Sequence, residues 1–331
     1  MIYQATIGCS FFERNLMKIV VLDAATLGDD VDLSVFSSFG EVIAYPATAP
    51  DEVKSRLNGA DVAVVNKIKM NAETLGDDPS VRLICVTATG YDNIDLAFCR
   101  AHGIAACNVV GYSTDSVAQI TVAMALSLLT HLPTHAETVR SGAYTRGGVA
   151  NCLKPTYHEL SGKTWGIVGF GNIGSRVATV ASAFGCRVIA FKRTPAKGVE
   201  CVDLDTLCRE SDIISVHLPL SDTTRGIIGE RELSLMKRDA IVINVARGAV
   251  VDEAALARAV REERLGGIGI DVYSVEPMPQ DHPFYAIRER ENVLLTPHMA
   301  WGAIEARERC LAEVAENIRA FLSGVRRNRL D

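Results

Sequence analysis

Short apolar runs alternate with polar-faced segments along most of the chain, starting at residue 18. Apolar runs of this length are typical of buried parallel strands, and the segments between them have the spacing of amphipathic helices. In the first third of the chain, helices are predicted at 51–57 and 94–101, and strands at 18–22, 42–45, 61–65, 83–86 and 105–109. This alternation predicts a small doubly wound parallel sheet.

The same alternation resumes after residue 160 and predicts a second doubly wound sheet. Its strands are predicted at 165–168, 188–191, 212–216, 240–245, 267–272 and 292–295, followed by a last helix at 302–322. Between the two sheets a helix is predicted at 116–132, with Ser113, Thr114 and Asp115 as candidate capping residues. This helix is apolar on nearly every side, which either burial between two domains or a subunit interface would explain.

The turn after the first strand of the second sheet has the sequence GFGNIG at 169–174, and a helix predicted at 175–184 follows it. A glycine-rich turn between a strand and a helix is the context of a dinucleotide-binding fingerprint. Gly169 permits the tight turn, Gly171 lets a pyrophosphate approach the backbone, and Gly174 lets the helix pack on the strand. The N-terminus of the helix then attracts the phosphates.

The residues after the second strand of this unit indicate which dinucleotide is bound. NAD sites usually carry Asp or Glu there, which accepts a hydrogen bond from the ribose 2′-hydroxyl. This chain has Lys192, Arg193 and Thr194 instead. Two cations attract a 2′-phosphate that a carboxylate would repel, so the sequence favours NADP(H) over NAD(H). The alternative is that both cations point into solvent.

Composition mainly excludes classes of function. The 331 residues suffice for two domains, and the net charge of −6 gives no reason to expect a nucleic-acid or membrane partner. The nine cysteines are scattered without a CxxC pair, which is typical of reduced cytoplasmic thiols and argues against a metal site. Residues 1–16 fit no targeting pattern and are expected to be a disordered extension.

Polar residues follow strand after strand, at the edge where open parallel sheets bind their ligands. In the first sheet they are Lys67 and the pair Thr89 and Gly90. Lys67 could supply a charge and Gly90 free backbone N–H groups to an anion. An incidental polar turn is the alternative.

Four residues after strands of the second sheet match the needs of hydride transfer to a 2-oxo acid. Arg247 offers a permanently charged fork that holds a carboxylate and polarises a carbonyl. His298 offers a proton donor, because histidine titrates near neutral pH, at about 6.5 when unperturbed. Glu276, if it contacts His298, would favour the protonated ring and orient it. Asp271 could accept a hydrogen bond from the nicotinamide carboxamide. Spacing along the chain cannot show whether these residues meet.

From residue 17 onward the chain resembles the D-isomer-specific 2-hydroxyacid dehydrogenase family. The resemblance is carried by TGYDNID (89–95), the fingerprint, HLPLSDTTRG (217–226), NVARGAVVDE (244–253), GIGIDVYSVEP (267–277) and TPHMAW (296–301). Six motifs in the same order are far more specific than a glycine-rich turn alone.

The resemblance implies an α/β fold of two doubly wound parallel-sheet domains with a cleft between them. A flavodoxin-like substrate domain would comprise residues 17–112 and 299–331, and a Rossmann coenzyme domain residues 113–298. The family is typically homodimeric, and we expect a cytoplasmic homodimer. Arg247, Glu276 and His298 would be its catalytic set.

The resemblance and the strand-end positions together define the expected binding residues. Those expected for substrate are Lys67, Thr89, Gly90, Arg247 and Trp301. Those expected for the cofactor are Thr114, Gly169, Gly171, Asn172, Ile173, Gly174, Lys192, Arg193, Thr194, His217, Pro219, Thr224, Ala246 and Asp271. No metal is expected.

Two features narrow the expected cofactor and the expected substrate within the family. Lys192, Arg193 and Thr194 resemble the NADPH-preferring glyoxylate and hydroxypyruvate reductases. Trp301 resembles glycerate dehydrogenases and would narrow the pocket toward small substrates, unless it packs in the domain interface. The predicted reaction is therefore NAD(P)H-dependent reduction of hydroxypyruvate to D-glycerate and of glyoxylate to glycolate, with His298 as acid and base.

Two other hypotheses stay open at this point. One is a non-catalytic, dinucleotide-sensing protein like the corepressors that share this fold, although no corepressor-like motif supports it. The other is a different 2-hydroxyacid dehydrogenase or a phosphite dehydrogenase. Formate dehydrogenases are disfavoured, because they typically carry Gln where this chain has Glu276.

Overall fold

The computed structural model describes residues 17–77, 79–194 and 196–331, which form two compact units. The first unit contains residues 17–110 and 308–331, and the second contains residues 111–307. Residues 299–307, which the sequence suggested for the first domain, therefore group with the second unit. One reason is that the Ala300 N–H donates to the buried Asp271 carboxylate at 2.9 Å. The extension expected at residues 1–16 lies outside the described residues.

A five-stranded parallel sheet forms the centre of the first unit. Its strands are β1 Met17–Val21, β2 Gly40–Ala44, β3 Val62–Val65, β4 Leu83–Val86 and β5 Ala105–Cys107. They lie in the order β2-β1-β3-β4-β5, which is the flavodoxin-like order of a doubly wound sheet. Both β3 and β4 are buried at every residue, which explains their continuous apolar sequences.

Short helices connect the strands of this unit. They are α1 Val53–Arg56, α2 Ala72–Leu75 and α3 Leu96–Ala101. The start of α3 is fixed by Asp95, whose carboxylate accepts a hydrogen bond from the Phe98 N–H at 2.9 Å. The helices predicted at 51–57 and 94–101 are confirmed, although each is shorter than expected.

The second unit is built on a seven-stranded parallel sheet. Its strands are β6 Thr164–Val168, β7 Arg187–Phe191, β8 Glu200–Cys201, β9 Ile213–Val216, β10 Ile241–Asn244, β11 Gly267–Ile270 and β12 Val293–Leu295. The order β12-β11-β10-β9-β6-β7-β8 runs outward in both directions from β6 and β9, as in a Rossmann sheet. The predicted fold class is confirmed, and the two-residue strand β8 is an addition to it.

Helices cover both faces of this sheet. They are α4 Thr114–Thr130, α5 Leu132–Arg140, α6 Ala143–Gly147, α7 Asn172–Ala183, α8 Leu204–Glu210, α9 Glu230–Leu235 and α10 Glu253–Arg261. The last helix, α11 Ile304–Leu322, begins in the second unit and continues into the first. Within the first unit, its buried Asn317 donates to the Asn108 carbonyl at 3.0 Å.

The apolar helix of the sequence is α4, and it begins two residues earlier than predicted. Ser113 is its N-cap residue, but the Ser113 side chain makes no capping hydrogen bond. The helix packs against α7, β10 and β11, and a Cβ on Gly269 would lie only 3.2 Å from Met124 Cβ. Burial within the second unit therefore accounts for most of its apolar surface.

No single helix in the described part of the chain is long and apolar enough to span a membrane. Only α4 and α5 taken together meet that criterion by length and composition, and they bend by 62° where they join.

Candidate active site

The glycine-rich turn leads from β6 directly into α7. Gly169 has a φ of +102°, where a side chain would be strained, and a Cβ there would lie 2.9 Å from the His217 carbonyl carbon. A Cβ on Gly174 would lie 2.3 Å from the Gly169 oxygen. Both glycines are therefore required by close packing, Gly169 against the loop after β9 and Gly174 within the turn itself. Because α7 starts at Asn172 rather than at the predicted residue 175, the unpaired N–H groups of its first turn belong to the fingerprint.

Gly171 is required for a different reason. Beyond its chain neighbours, nothing lies within 4 Å of the position that a Cβ on Gly171 would occupy. Gly171 is also the N-cap of α7 and has no side chain to accept from the first N–H groups. Open space in front of these N–H groups, at the positive end of the helix dipole, fits a pyrophosphate. Asn172 and Ile173 are the first two residues of α7 and follow Gly171 directly.

His217 follows β9 and lies against the same turn. Its Nε2 is 2.9 Å from the Ser215 Oγ, which also accepts from the Trp165 Nε1–H at 2.9 Å. Burial lowers the pKa of His217 to about 3, so the ring is neutral. Its Nδ1 is shielded from solvent and has no hydrogen-bond partner among the described residues. A buried polar atom of this kind is one that a bound ligand can satisfy.

Lys192, Arg193 and Thr194 follow β7, the strand that pairs with β6. All three side chains are exposed. Because the two strands are parallel and adjacent, these residues lie at the same edge of the sheet as the fingerprint turn.

Three further residues expected at the cofactor are Pro219 and Thr224, in the turn after β9, and Thr114, at the start of α4. The Thr224 Oγ1 donates to the Pro219 carbonyl at 2.6 Å and closes the turn after β9. Thr114 is the first residue of α4, and the next residue, Asp115, pairs with Arg176 of α7 at 2.8 Å. The starts of α4 and α7 are therefore held together.

The loop that carries Ala246 and Arg247 is held by Asn244, which the sequence analysis did not single out. The buried Asn244 side chain accepts from the Ala246 N–H at 3.0 Å and donates to the Arg247 carbonyl at 2.9 Å. Next to Arg247, a Cβ on Gly248 would lie 2.1 Å from the Tyr273 carbonyl carbon. The loop after β10 thus packs directly on the loop after β11.

Glu276 and His298, which are 22 residues apart in the chain, meet in the structure. Glu276 Oε2 lies 2.7 Å from His298 Nδ1, and Glu276 Oε1 accepts from the Tyr273 N–H at 3.0 Å. Both carboxylate oxygens are therefore engaged, which fixes the plane of the carboxylate and the orientation of the ring. A histidine oriented through Nδ1 presents its Nε2 for proton transfer.

Asp271 fixes the backbone on which His298 stands. Its Oδ1 accepts from the Thr296 hydroxyl at 2.6 Å and from the Met299 N–H at 2.8 Å, and its Oδ2 accepts from the Ala300 N–H at 2.9 Å. His298 itself has a φ of 54°, in the left-handed region. Burial raises the pKa of Asp271, and the hydrogen bonds that it accepts oppose that shift. These bonds occupy three of about four acceptor positions on the carboxylate.

The expected substrate residues of the first unit follow two neighbouring strands, β3 and β4. The Lys67 N–H donates at 2.7 Å to Asp23, a buried residue after β1 that the sequence analysis missed. The Thr89 hydroxyl donates to the Val109 carbonyl at 2.9 Å, and Gly90 follows it in the same loop. An acid placed directly after a buried strand was the only local signal that could have identified Asp23.

Trp301 is half-buried at the margin of the second unit's apolar core. Its ring meets the buried Tyr112 ring edge-on, with 6.2 Å between the ring centroids. The indole therefore has a packing role within this unit.

The fold and these contacts define a class of protein. A Rossmann sheet with an open fingerprint turn, and a His–Glu pair and an arginine after its other strands, is the arrangement of a nicotinamide-dependent dehydrogenase. Among the residues that the structure describes, no group of three or more His, Cys, Asp or Glu could hold a metal ion.

Comparison with known proteins identifies the family within this class. Residues 122–300 match the model of the NAD-binding domain of D-isomer-specific 2-hydroxyacid dehydrogenases. Glycerate dehydrogenase of Methylorubrum extorquens is 36% identical over 312 residues, which cover 94% of this chain and 98% of that protein. The chain belongs to the D-isomer-specific 2-hydroxyacid dehydrogenase family, and it is an oxidoreductase that uses a nicotinamide dinucleotide.

Solved structures agree with this membership. An acyclic imino acid reductase in complex with NADPH and D-Arg is 31% identical and superposes with a TM-score of 0.85, covering 95% of this chain and 100% of that one. The NADPH-dependent glyoxylate/hydroxypyruvate reductase of Sinorhizobium meliloti, in complex with NADP and malonate, is 27% identical with a TM-score of 0.81, covering 93% and 94%.

The two kinds of glycine in the fingerprint predict different outcomes for the same substitution. Gly171→Ala is expected to fold normally but to weaken dinucleotide binding by roughly 10- to 100-fold, because the methyl group enters the space for the pyrophosphate. Gly174→Ala is expected to lower Tm by roughly 3–10 °C, because its methyl group meets the Gly169 carbonyl. Calorimetry and dinucleotide titration of both variants check this. A Gly171→Ala variant with unchanged affinity would show that no phosphate binds there.

Proposed function

We propose that the protein reduces a small 2-oxo acid to the D-2-hydroxy acid, converting hydroxypyruvate to D-glycerate and glyoxylate to glycolate. The observation that carries this proposal is the 2.7 Å contact between His298 Nδ1 and Glu276 Oε2, in a unit that also holds Arg247 and the fingerprint. The similarity to a glycerate dehydrogenase and to a glyoxylate/hydroxypyruvate reductase supports this substrate class.

In the proposed mechanism, Arg247 binds the substrate carboxylate and polarises the 2-oxo group with its permanent charge. A nicotinamide dinucleotide, held at the fingerprint turn, would supply the hydride for C2 of the substrate. His298 donates the Nε2 proton to the oxygen on C2, and Glu276 holds the ring in the orientation for that transfer. In the oxidative direction His298 accepts the same proton. No step of this mechanism uses a metal ion.

We assign the dinucleotide to the second unit and part of the substrate site to the first. Lys67, Thr89 and Gly90 follow adjacent strands there, and the backbone at Thr89 and Gly90 would bind the substrate carboxylate. In the second unit, the residues proposed to contact the substrate are Arg247 and Trp301. The buried Asp23, which fixes the Lys67 backbone, supports this assignment because it orders that loop in advance.

Replacing His298 with Ala is expected to lower kcat for hydroxypyruvate at least about 100-fold, because general acid catalysis contributes factors of this size. The Kd of the dinucleotide should stay nearly constant, since the fingerprint is untouched. Steady-state kinetics and fluorescence titration measure the two quantities. His102→Ala, an exposed histidine in the first unit, serves as the control. Equal turnover by the His298→Ala variant and the wild type would remove His298 from the mechanism.

We infer that the enzyme prefers NADP(H) to NAD(H). Lys192 and Arg193 are exposed at the edge of the sheet that carries the fingerprint. They stand where NAD sites usually carry Asp or Glu. The two solved relatives named above contain NADPH and NADP, which supports the inference. A guanidinium and an ammonium would each make charge-assisted contacts to the 2′-phosphate.

The double variant Lys192→Ala/Arg193→Ala is expected to lower kcat/KM with NADPH by roughly 10- to 100-fold, the loss of one or two charge-assisted contacts. The value with NADH should change little. Initial rates with hydroxypyruvate and with glyoxylate, each with both cofactors, provide the comparison. Arg100→Ala removes an exposed cation from the first unit and is the matched control. A wild type that prefers NADH would contradict the cofactor preference and leave the dehydrogenase assignment intact.

We also propose that the protein is a homodimer. The α4 helix is mostly buried within its own unit. The apolar surface follows α4 instead, in residues 132–157. This 132–157 surface exposes Leu132, Val139, Tyr144, Val149, Leu153 and Tyr157. It also contains a cavity of about 310 Å³ lined in part by Tyr144, Val149 and Leu153. A cluster of large apolar side chains at one surface is typical of a subunit interface.

Leu153 is 70% exposed and would be buried in this dimer. Leu153→Asp is expected to convert the dimer to a monomer, because a charge in an apolar interface lacks a partner. Sedimentation equilibrium measures the change. Val325→Asp, at a position 57% exposed in the first unit, should leave the dimer unchanged. A monomeric wild type at micromolar concentration would contradict the proposal.

We place the enzyme in the cytoplasm, with no nucleic-acid or membrane partner. The eight described cysteines are all free thiols, which supports a reducing compartment. Cell fractionation with an antibody to the protein would test the location.

A further inference from the structure

Two titratable side chains outside the proposed mechanism are buried next to each other in the second unit. Glu253, the first residue of α10, is 9% exposed, and His282 is 5% exposed. His282 Nε2 lies 3.1 Å from Glu253 Oε2. Burying a carboxylate is costly, and an apolar pair of similar size would stabilise the fold as well or better. Packing alone therefore does not explain why a charge is placed here.

Hydrogen bonds engage both oxygens of Glu253 and both ring nitrogens of His282. Glu253 Oε1 accepts from the Ser274 N–H at 2.9 Å, and Oε2 accepts from both the Ser274 hydroxyl and the His282 ring. His282 Nδ1 accepts from the Phe284 N–H at 3.2 Å, so the proton of a neutral ring is on Nε2. The Glu253 carboxylate therefore accepts from three donors, and it lies at the positive end of α10.

All three donors belong to one loop, which runs from Ser274 to His282 and contains Glu276. One carboxylate thus binds both ends of the loop. Glu276 is held from the neighbouring peptide, because its Oε1 accepts from the Tyr273 N–H at 3.0 Å while Oε2 contacts His298. The Tyr273 N–H therefore donates to Glu276, and the next N–H along the chain, that of Ser274, donates to Glu253.

The Glu253 carboxylate also connects the loop of Glu276 to the loop that carries Arg247. Glu253 lies six residues after Arg247 in the chain, at the end of the short segment that includes Gly248. Gly248 packs on the peptide between Tyr273 and Ser274, where a Cβ would lie 2.1 Å from the Tyr273 carbonyl carbon. Glu253, at the start of α10, accepts a hydrogen bond from the N–H of this same peptide. The loops of Arg247 and Glu276 are thus joined at a single peptide.

We propose that Glu253, with His282 as its buried partner, is a positioning residue for the reaction. It holds the loop of Glu276 in the geometry in which Glu276 orients His298 and the Arg247 loop packs beside it. The inference rests on the proposed function, because it assigns Glu253 an effect on turnover that acts through Glu276.

The test is Glu253→Gln, which keeps the shape of the side chain. A carboxamide has one acceptor oxygen in place of two, so its NH₂ group faces a donor of Ser274 or His282. His282 cannot accept at Nε2 unless its proton moves to Nδ1, where it would face the Phe284 N–H. We expect kcat with hydroxypyruvate to fall at least about tenfold, since small misplacements of catalytic groups have effects of this size. KM for hydroxypyruvate and Kd for the dinucleotide should change much less.

A double-mutant cycle separates positioning from general destabilisation. In a Glu276→Gln background, Glu253→Gln is expected to cause little further loss of kcat, because its effect passes through Glu276. Glu262→Gln, an exposed acid beyond the end of the same helix, is the matched control and should retain full kcat. If Glu253→Gln fails to fold, Ser274→Ala removes only the hydroxyl donor, and it should lower kcat in the same direction.

The outcomes distinguish the two proposals. An active wild type, an inactive His298→Ala variant and full kcat in both Glu253→Gln and Ser274→Ala would overturn the positioning inference alone. Equal losses of kcat in the wild-type and Glu276→Gln backgrounds would also overturn it, since Glu253 would then act independently of Glu276. A wild type without turnover of any 2-oxo acid would overturn the proposed function and the inference together.

Discussion

The candidate site depends first on the buried carboxylate of Asp271. It accepts from the Met299 and Ala300 N–H groups and from the Thr296 hydroxyl, and so holds the turn around His298. The φ of 54° at His298 is a conformation that a residue with a side chain adopts at a cost of about 1–3 kcal/mol. Hydrogen bonds to a charged acceptor offset that cost, because each contributes about as much. Asp271 thus stabilises the backbone conformation in which the His298 ring meets Glu276.

Two other buried acids use the same chemistry at the carboxyl ends of strands. Asp23 accepts from the N–H groups of Asn66 at 2.9 Å and Lys67 at 2.7 Å in the first unit. Glu253 binds Ser274 and His282 in the second. Loops at the edge of a parallel sheet lack ladder partners, so their N–H groups need acceptors from elsewhere. A carboxylate satisfies several of them at once, and it converts flexible strand-end loops into fixed positions for the residues of the site.

The strands were predictable because a parallel sheet covered on both faces requires continuous apolar runs, a signal that is local in the sequence. The fingerprint was predictable for a similar reason, since Gly174 is imposed by a contact within the turn and Gly169 by its own positive φ, although the contact of Gly169 with His217 was not visible in the sequence. β8 was missed because two residues carry no periodicity. The apolar sequence of α4 was compatible with more than one burial partner, and only packing on β10 and β11 identified it as core of its own unit.

The sequence by itself determined the two doubly wound sheets, the dinucleotide turn, and Arg247, Glu276 and His298 as candidates for the chemistry. Each of these follows from local patterning or from the chemical nature of a side chain. Only the tertiary structure decided that Glu276 meets His298, and that Asp271, Asn244 and Glu253 hold the loops on which the candidates stand. The reason is physical: a hydrogen bond depends on the distance and direction between two groups. When those groups lie on segments 20 or more residues apart, as Glu253 and Ser274 do, only the folded chain fixes that geometry.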